Sequence, residues 1–108
     1  MSNKYHAKKT WSELAQRWFA SKAEAKRANE LCLLEKAGEI SELSYQTKFV
    51  LSVKPKITYT ADFKYKEHGT PDYYVYEDVK GVLTRDTRTK IAWVKEKYGI
   101  EVKLVRGY

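Results

Sequence analysis

Between Ile57 and Lys80 apolar and polar residues alternate twice, and few arrangements of the chain satisfy that pattern. Ile57, Tyr59, Ala61, Phe63 and Tyr65 fill one set of alternate positions; Thr58, Thr60, Asp62 and Lys64 fill the other. A period of two marks a strand with one buried face. The alternation resumes with Tyr73, Val75, Glu77 and Val79 on one side and Tyr74, Tyr76, Asp78 and Lys80 on the other. Glu67-His68-Gly69-Thr70-Pro71-Asp72 separates the two runs and is turn material, so the runs are expected to form a hairpin. Such a hairpin sets Asp62 beside Asp78. Side chains two apart on a strand point the same way, so Lys80 shares the face of Asp78.

The flanking sequence extends this hairpin into an α/β unit. Leu43, Tyr45, Thr47, Phe49, Leu51 and Val53 alternate as a preceding strand, which Lys54-Pro55 breaks. Ser21-Lys22-Ala23-Glu24 reads as a capping box that opens a helix running through Ala28, Leu31 and Leu34 to about Lys36, with Gly38 placed to end it. A second helix is expected from about Asp86 or Thr87 through Ile91, Val94 and Tyr98, stopped by Gly99. Ile100 to Val105 forms the last strand, with Ile100, Val102 and Leu104 on one side. A strand-helix-strand connection of this length favours a parallel, right-handed crossover. The predicted order is helix, three strands, helix, strand, giving a mixed sheet with helices packed on it. Upstream, Trp11, Leu14, Ala15 and Trp18 recur at helical spacing, with a short extended arm as the alternative.

A chain of 108 residues fits a single domain, divided here into a basic N-terminal arm or dimerisation segment, residues 1–20, and a core, residues 21–108. No apolar run approaches the roughly 20 residues of a membrane span. The polar, basic start argues against a signal peptide, and the lone Cys32 fits a reducing cytoplasm. One Cys and two His leave no Cys/His zinc set within the chain. Lys and Arg number 21 against 14 Asp and Glu, a net charge of +7. From Lys80 to Tyr108 eight basic residues face three acidic ones. That excess favours a polyanion, nucleic acid above all, over an anionic membrane.

Two aspartates side by side repel, and burying them unpaired is costly. A divalent cation resolves the conflict, and magnesium favours one or two carboxylates plus water and phosphate oxygens. Lys80 beside such a site would orient a bound water, assist its deprotonation or steady developing charge. Spacing alone fits a solvated surface pair better.

Ala61-Asp62-Phe63 followed by Glu77-Asp78-Val79-Lys80-Gly81 resembles the PD-(D/E)XK nuclease superfamily, and the predicted element order matches its restriction-endonuclease-like αβββαβ core. Phe19 to Arg27 with Glu30-Leu31, Leu33 to Ile40, Gln46 to Phe49, and Lys97 to Val102 resemble small phage-encoded members, so the likeness spans most of the chain from Phe19. Proline of the superfamily's name is replaced by Ala61, and the second carboxylate is Asp where Glu is commoner. Upstream of Phe19 relatives tend to carry a short Gly-containing hairpin, whereas Trp11 to Trp18 has no glycine.

The resemblance implies a Mg²⁺-dependent phosphodiesterase, with Mn²⁺ able to substitute. Asp62, Asp78 and the Val79 carbonyl would be metal ligands, Glu24 the helix-borne glutamate reaching the metal site, and Lys80 the catalytic lysine. Glu77 adjoins Asp78, and strand parity favours Asp78. Glu24 is also explained as the third residue of its capping box.

Other candidates are weaker. Glu30 is expected at the surface, Gln46 is as well explained by ordinary hydrogen bonds, and His6 and His68 are expected to be solvated. Cys32 reads as a small buried hydrophobe. Tyr74 and Tyr76 share the face of Asp78. Lys8, Lys9, Thr84, Arg85, Arg88 and Lys90 are the expected contacts to the DNA backbone. The resulting expectation is a DNA endonuclease acting on branched DNA as a Holliday-junction resolvase-like homodimer, phage-encoded and working in the cytoplasm of the bacterial host. Trp11 to Phe19 is its expected dimer surface. The alternatives are a non-catalytic nucleic-acid-binding module and a nuclease subunit of a larger recombination or transposition assembly.

Overall fold

The computed structural model describes residues 8–70 and 72–107. His6 therefore lies outside the described residues. Eight elements follow one another: β1 (Thr10–Ser12), β2 (Arg17–Phe19), α1 (Lys22–Lys36), β3 (Ile40–Ser52), β4 (Ile57–Glu67), β5 (Tyr74–Lys80), α2 (Arg85–Tyr98) and β6 (Lys103–Arg106). β3, β4, β5 and β6 form one sheet in that order, the first two pairings antiparallel and the last parallel. This is the expected α/β arrangement: a mixed sheet flanked by two helices, compatible with an αβββαβ core. No helix among the described residues is long and apolar enough to cross a membrane.

Local chemistry accounts for the helix limits. The Ser21 hydroxyl accepts the Glu24 N–H at 3.1 Å, opening α1. Gly38, at φ 79°, supplies the left-handed residue just past its end. α2 starts a little earlier than the sequence suggests, because Thr84 caps it by accepting the Thr87 N–H at 3.2 Å. Gly99 ends it in the left-handed region, as expected.

Four expectations are corrected. Trp11 to Trp18 is neither a helical turn nor an extended arm but a β-hairpin, with Trp11 directly opposite Trp18. The Ser12 hydroxyl accepts the Ala15 N–H at 3.0 Å and the Ser12 carbonyl accepts the Gln16 N–H at 2.8 Å, closing a tight turn that helical spacing does not foresee. Gln16, at φ 55°, occupies the left-handed position for which glycine is the easier residue. Ser12 donates to Asn29 on α1 at 2.6 Å and Phe19 is buried in the core, so this hairpin is continuous with residues 21–107. The last strand is shorter than expected, and Leu104 points outward while Val102 is buried.

The third correction concerns β4. Its odd-numbered residues do not serve one core. Phe63 and Tyr65 pack with Ala25, Ala28 and Leu31 of α1, whereas Tyr59 and Ala61 pack with Phe49 of β3 and Val94 of α2. The change falls at Asp62, and Gln46, its counterpart on β3, is at φ 57°. The β3–β4 ribbon thus turns at Asp62. Val53, expected to close the β3 alternation, lies beyond the strand and is exposed.

β5 separates two acidic neighbours onto opposite faces. Glu77 faces α1, where Arg27 grips it through Nε to Oε1 and Nη2 to Oε2, each at 2.8 Å, and the Tyr65 hydroxyl donates to it as well. Burial alone would push the Glu77 carboxyl up; the hydrogen bonds from Arg27 and Tyr65, with the Arg27 charge, outweigh it and hold the group below its usual value. Glu77 therefore contributes stability that is present above the unfolded carboxylate range and is lost as pH falls through its lowered folded value. Arg27→Met is expected to cost about 3 kcal/mol in urea unfolding at neutral pH, because it strands a buried carboxylate. The pH trend should also invert, with acid now stabilising the variant, and Glu77→Gln in that background should restore most of the loss. Unchanged stability of Arg27→Met would contradict this assignment.

Candidate active site

Asp62 and Asp78 come together where the β4–β5 ladder ends. The paired residues run from Lys66↔Tyr74 to Phe63↔Glu77, and the next step places Asp62 against Asp78. There the Asp62 side chain takes over from the ladder, its Oδ2 accepting the Val79 N–H at 2.8 Å. Asp78 is fully buried. Its Oδ2 accepts from the Tyr59 hydroxyl, and its Oδ1 has no hydrogen-bond partner among the described residues. Lys80 Nζ lies 3.6 Å from that Oδ1, close enough for charge attraction and long for a hydrogen bond.

Electrostatics follow from this crowding. The Asp62 carboxyl is pushed well above the usual range, first by burial, then by the close approach of Asp78 and the charge of Glu24, with the Val79 N–H pulling the other way. Glu24, half-buried, is also raised: burial leads, Asp78 adds to it, and Lys80 and the Ser21 hydroxyl oppose it. Glu24 thus senses both Asp78 and Lys80 while it also belongs to the cap of α1. Among the described residues no three His, Cys, Asp or Glu side chains form a ready-made cation cage. The close set is the aspartate pair, and Glu24 acts on it through charge. A pair of carboxylates with one bare, buried oxygen still suits magnesium, which takes one or two carboxylates and completes its shell with water and phosphate oxygens.

The neighbouring residues explain why Asp78 and not Glu77 stands here. Both Glu77 oxygens are engaged on the α1 side of the sheet. Tyr59 was hidden from sequence reasoning: strict alternation puts it opposite Asp78, and only the turn of the ribbon at Asp62 brings its hydroxyl across. Tyr74 donates to Glu42 at 2.7 Å and Tyr76 packs on Phe49 at 5.4 Å between ring centroids, so both are occupied away from the aspartates. Gln46, Glu30 and His68 are exposed, and Cys32 is buried.

A cavity of about 730 Å³ opens beside Lys80 and Glu24. Of the expected DNA contacts, Lys8 and Thr84 line it. Arg85 and Arg88 are exposed on the first turns of α2, Lys90 pairs with Asp86 at 3.5 Å, and Lys9 sits over the Trp18 ring. Thr84 spends its hydroxyl on the α2 cap. Lys22 and Lys26 also line the cavity and were missed; their i, i+4 spacing on α1, bracketing Glu24, was the available signal. Gly107 closes one wall, where a Cβ would meet Val79 Cγ1 at 2.7 Å and Ala23 Cβ at 3.1 Å.

Residues 2–106 match a family described as a protein of unknown function, DUF1064. The chain belongs to the DUF1064 family. No match was found among curated proteins or among solved structures. The aspartate pair of this DUF1064 chain is thus characterised by its own geometry.

A carboxyl with a raised folded value takes up its proton on folding, so its ionisation destabilises the fold progressively as pH rises from the unfolded toward the folded value. Asp62→Asn removes that charge and keeps an oxygen for the Val79 N–H. The variant is expected to be more stable than the parent in EDTA at pH 8 by on the order of 1 kcal/mol, about 4–8 °C in Tm for a domain of this size. The difference should vanish toward pH 4, and Mg²⁺ should raise the Tm of the parent only. A variant less stable than the parent at pH 8 would contradict the strain assigned to the pair.

Proposed function

We propose that this protein is a Mg²⁺-dependent DNA endonuclease that acts on branched DNA. The observation that carries the reading is the buried Oδ1 of Asp78, without a hydrogen-bond partner among the described residues, beside the raised carboxyl of Asp62 and 3.6 Å from Lys80 Nζ. Asp62 and Asp78 would hold the cation, with the Val79 carbonyl and Glu24 as the further residues the nuclease resemblance implies. When bound, Mg²⁺, or Mn²⁺ in its place, supplies an activated water and neutralises charge on the phosphoryl group.

The chain's own residues do the rest. Val79 fixes Asp62 through its N–H, and Tyr59 fixes Asp78 through its hydroxyl, so neither carboxylate reorganises when the charge on phosphorus grows. Lys80 is held by the Asp78 charge at the mouth of the cavity, where its ammonium orients the attacking water and steadies the developing oxyanion. In-line attack on the phosphodiester expels the 3′-oxygen and leaves 5′-phosphate and 3′-hydroxyl ends. Lys8, Lys22 and Lys26 neutralise the flanking phosphates. A domain this small has little surface for reading base sequence, which favours recognition of DNA shape. Symmetric cutting of a junction requires two such sites and therefore a twofold dimer. The reading places the protein on DNA in the cytoplasm of a bacterial host.

The test is incubation of purified protein with a labelled four-way junction, its matched duplex and the single strand, in Mg²⁺ and in EDTA. Cleavage is expected on the junction in Mg²⁺ and absent in EDTA. Lys80→Ala should lower the rate by about 100-fold or more while binding in EDTA persists. Parental rates in Lys80→Ala would remove the lysine from the mechanism. Binding that survives EDTA without nicking in Mg²⁺ or Mn²⁺ would instead favour a non-catalytic binding module, a reading that the two-carboxylate set also accommodates.

A further inference from the structure

The β1–β2 hairpin presents two indoles to water. Trp11 and Trp18 are cross-strand partners on its outward face, 40% and 55% exposed, with ring centroids 5.5 Å apart at an interplanar angle of 66°. The inward residues, Ser12 and Phe19, fasten the hairpin to α1 and the core. The outward pair is therefore a fixed platform. Among the described residues neither indole belongs to a buried core cluster, and the exposed apolar area is unfavourable.

Its surroundings are cationic. Lys9 Nζ lies 5.7 Å from the Trp18 ring centroid. The hairpin's one carboxylate, Glu13, already accepts from Trp11 Nε1 at 2.8 Å, whereas Arg17, opposite Ser12 on the inward face, stacks on Tyr45 and Phe19. Lys8 lines the cavity beside Lys80 and the next residue, Lys9, reaches over Trp18, so one step of chain connects the cavity to the platform. Four lysines, Lys8, Lys22, Lys26 and Lys80, line that cavity against a single carboxylate, Glu24.

We propose that the cavity and the Trp11–Trp18 platform form one track for an unpaired DNA strand, the lysines taking its phosphates and Trp18 stacking on a base. An aromatic face with a flanking cation accepts any base whose own face is free. Duplex bases have both faces covered by neighbours, so the platform distinguishes an unpaired strand, such as one at a branch point, from a duplex. A second copy of the chain fits this surface poorly, because a twofold contact across the platform brings Lys8 and Lys9 close to their own counterparts. The choice of DNA rests on the nuclease reading, but the platform is tested without cleavage.

The experiment uses the full chain in EDTA with fluorescein-labelled oligo(dT) of about 12 nucleotides, within the usual site sizes of such proteins, and with a matched duplex. Single strand is expected to quench tryptophan fluorescence. Trp18→Ala should weaken single-strand binding about fivefold or more and leave duplex binding unchanged, and Trp18→Phe should restore most of it. Lys22→Ala with Lys26→Ala should flatten the salt dependence of single-strand binding by roughly 0.7 per lysine in the logarithmic slope. Equal weakening of single strand and duplex by Trp18→Ala, no weakening at all, or a dimer that Trp18→Ala splits in sedimentation would each overturn the track. Quenching that persists in a protein inactive on every substrate in Mg²⁺ would sink the nuclease reading and leave the track standing.

Discussion

The Asp62 side chain accepts the Val79 N–H at the point where main-chain pairing between β4 and β5 has ended. That one hydrogen bond fixes the geometry of everything around it. It holds the end of β5 against β4 and so keeps Asp78 and Lys80 beside Asp62. It leaves only part of the Asp62 carboxylate free, so that burial first, and then the close approach of Asp78, raise Asp62 rather than being relieved by rotation. A main-chain donor cannot dissociate as a flexible side chain can, so the crowding is built into the fold. Crowding of this kind opposes stability and persists where the surrounding structure over-determines it, as at functional sites.

Adjacent acids on β5 show how one strand separates structure from chemistry. Glu77 and Asp78 are both fully buried, yet their environments are opposite. Arg27 and Tyr65 saturate Glu77 and lower it, tying α1 to the sheet. Asp78 receives one hydroxyl and keeps an oxygen bare. The strand's period of two makes that division possible, and it also explains why a Glu and an Asp side by side are not interchangeable here.

Much of this was legible in the sequence. The alternation from Ile57 to Lys80 and its turn specified the hairpin, and parity selected Asp78 over Glu77 as the partner of Lys80. The capping serine and the glycines at 38 and 99 marked helix limits to within a few residues. What stayed hidden has identifiable causes. The β1–β2 turn depends on a Ser12 hydroxyl competing for main-chain donors and on Gln16 in a left-handed conformation, neither of which periodicity registers. The switch of β4 between two cores falls at Asp62, across from Gln46 in a left-handed conformation that periodicity does not register, so the delivery of Tyr59 to Asp78 could not be read from alternation. The Arg27–Glu77 pair joins residues fifty apart in sequence, and only the packing of α1 on β5 brings them together.

On the proposed reading, the two aspartates tolerate one another because they share a cation. Crystals grown with Mn²⁺ and measured at its absorption edge test this directly. The account predicts one anomalous peak in contact with an oxygen of Asp62 and an oxygen of Asp78, lost in Asp78→Asn. A map with no ion between the two carboxylates, and with their oxygens at the distance of a shared proton, would contradict it.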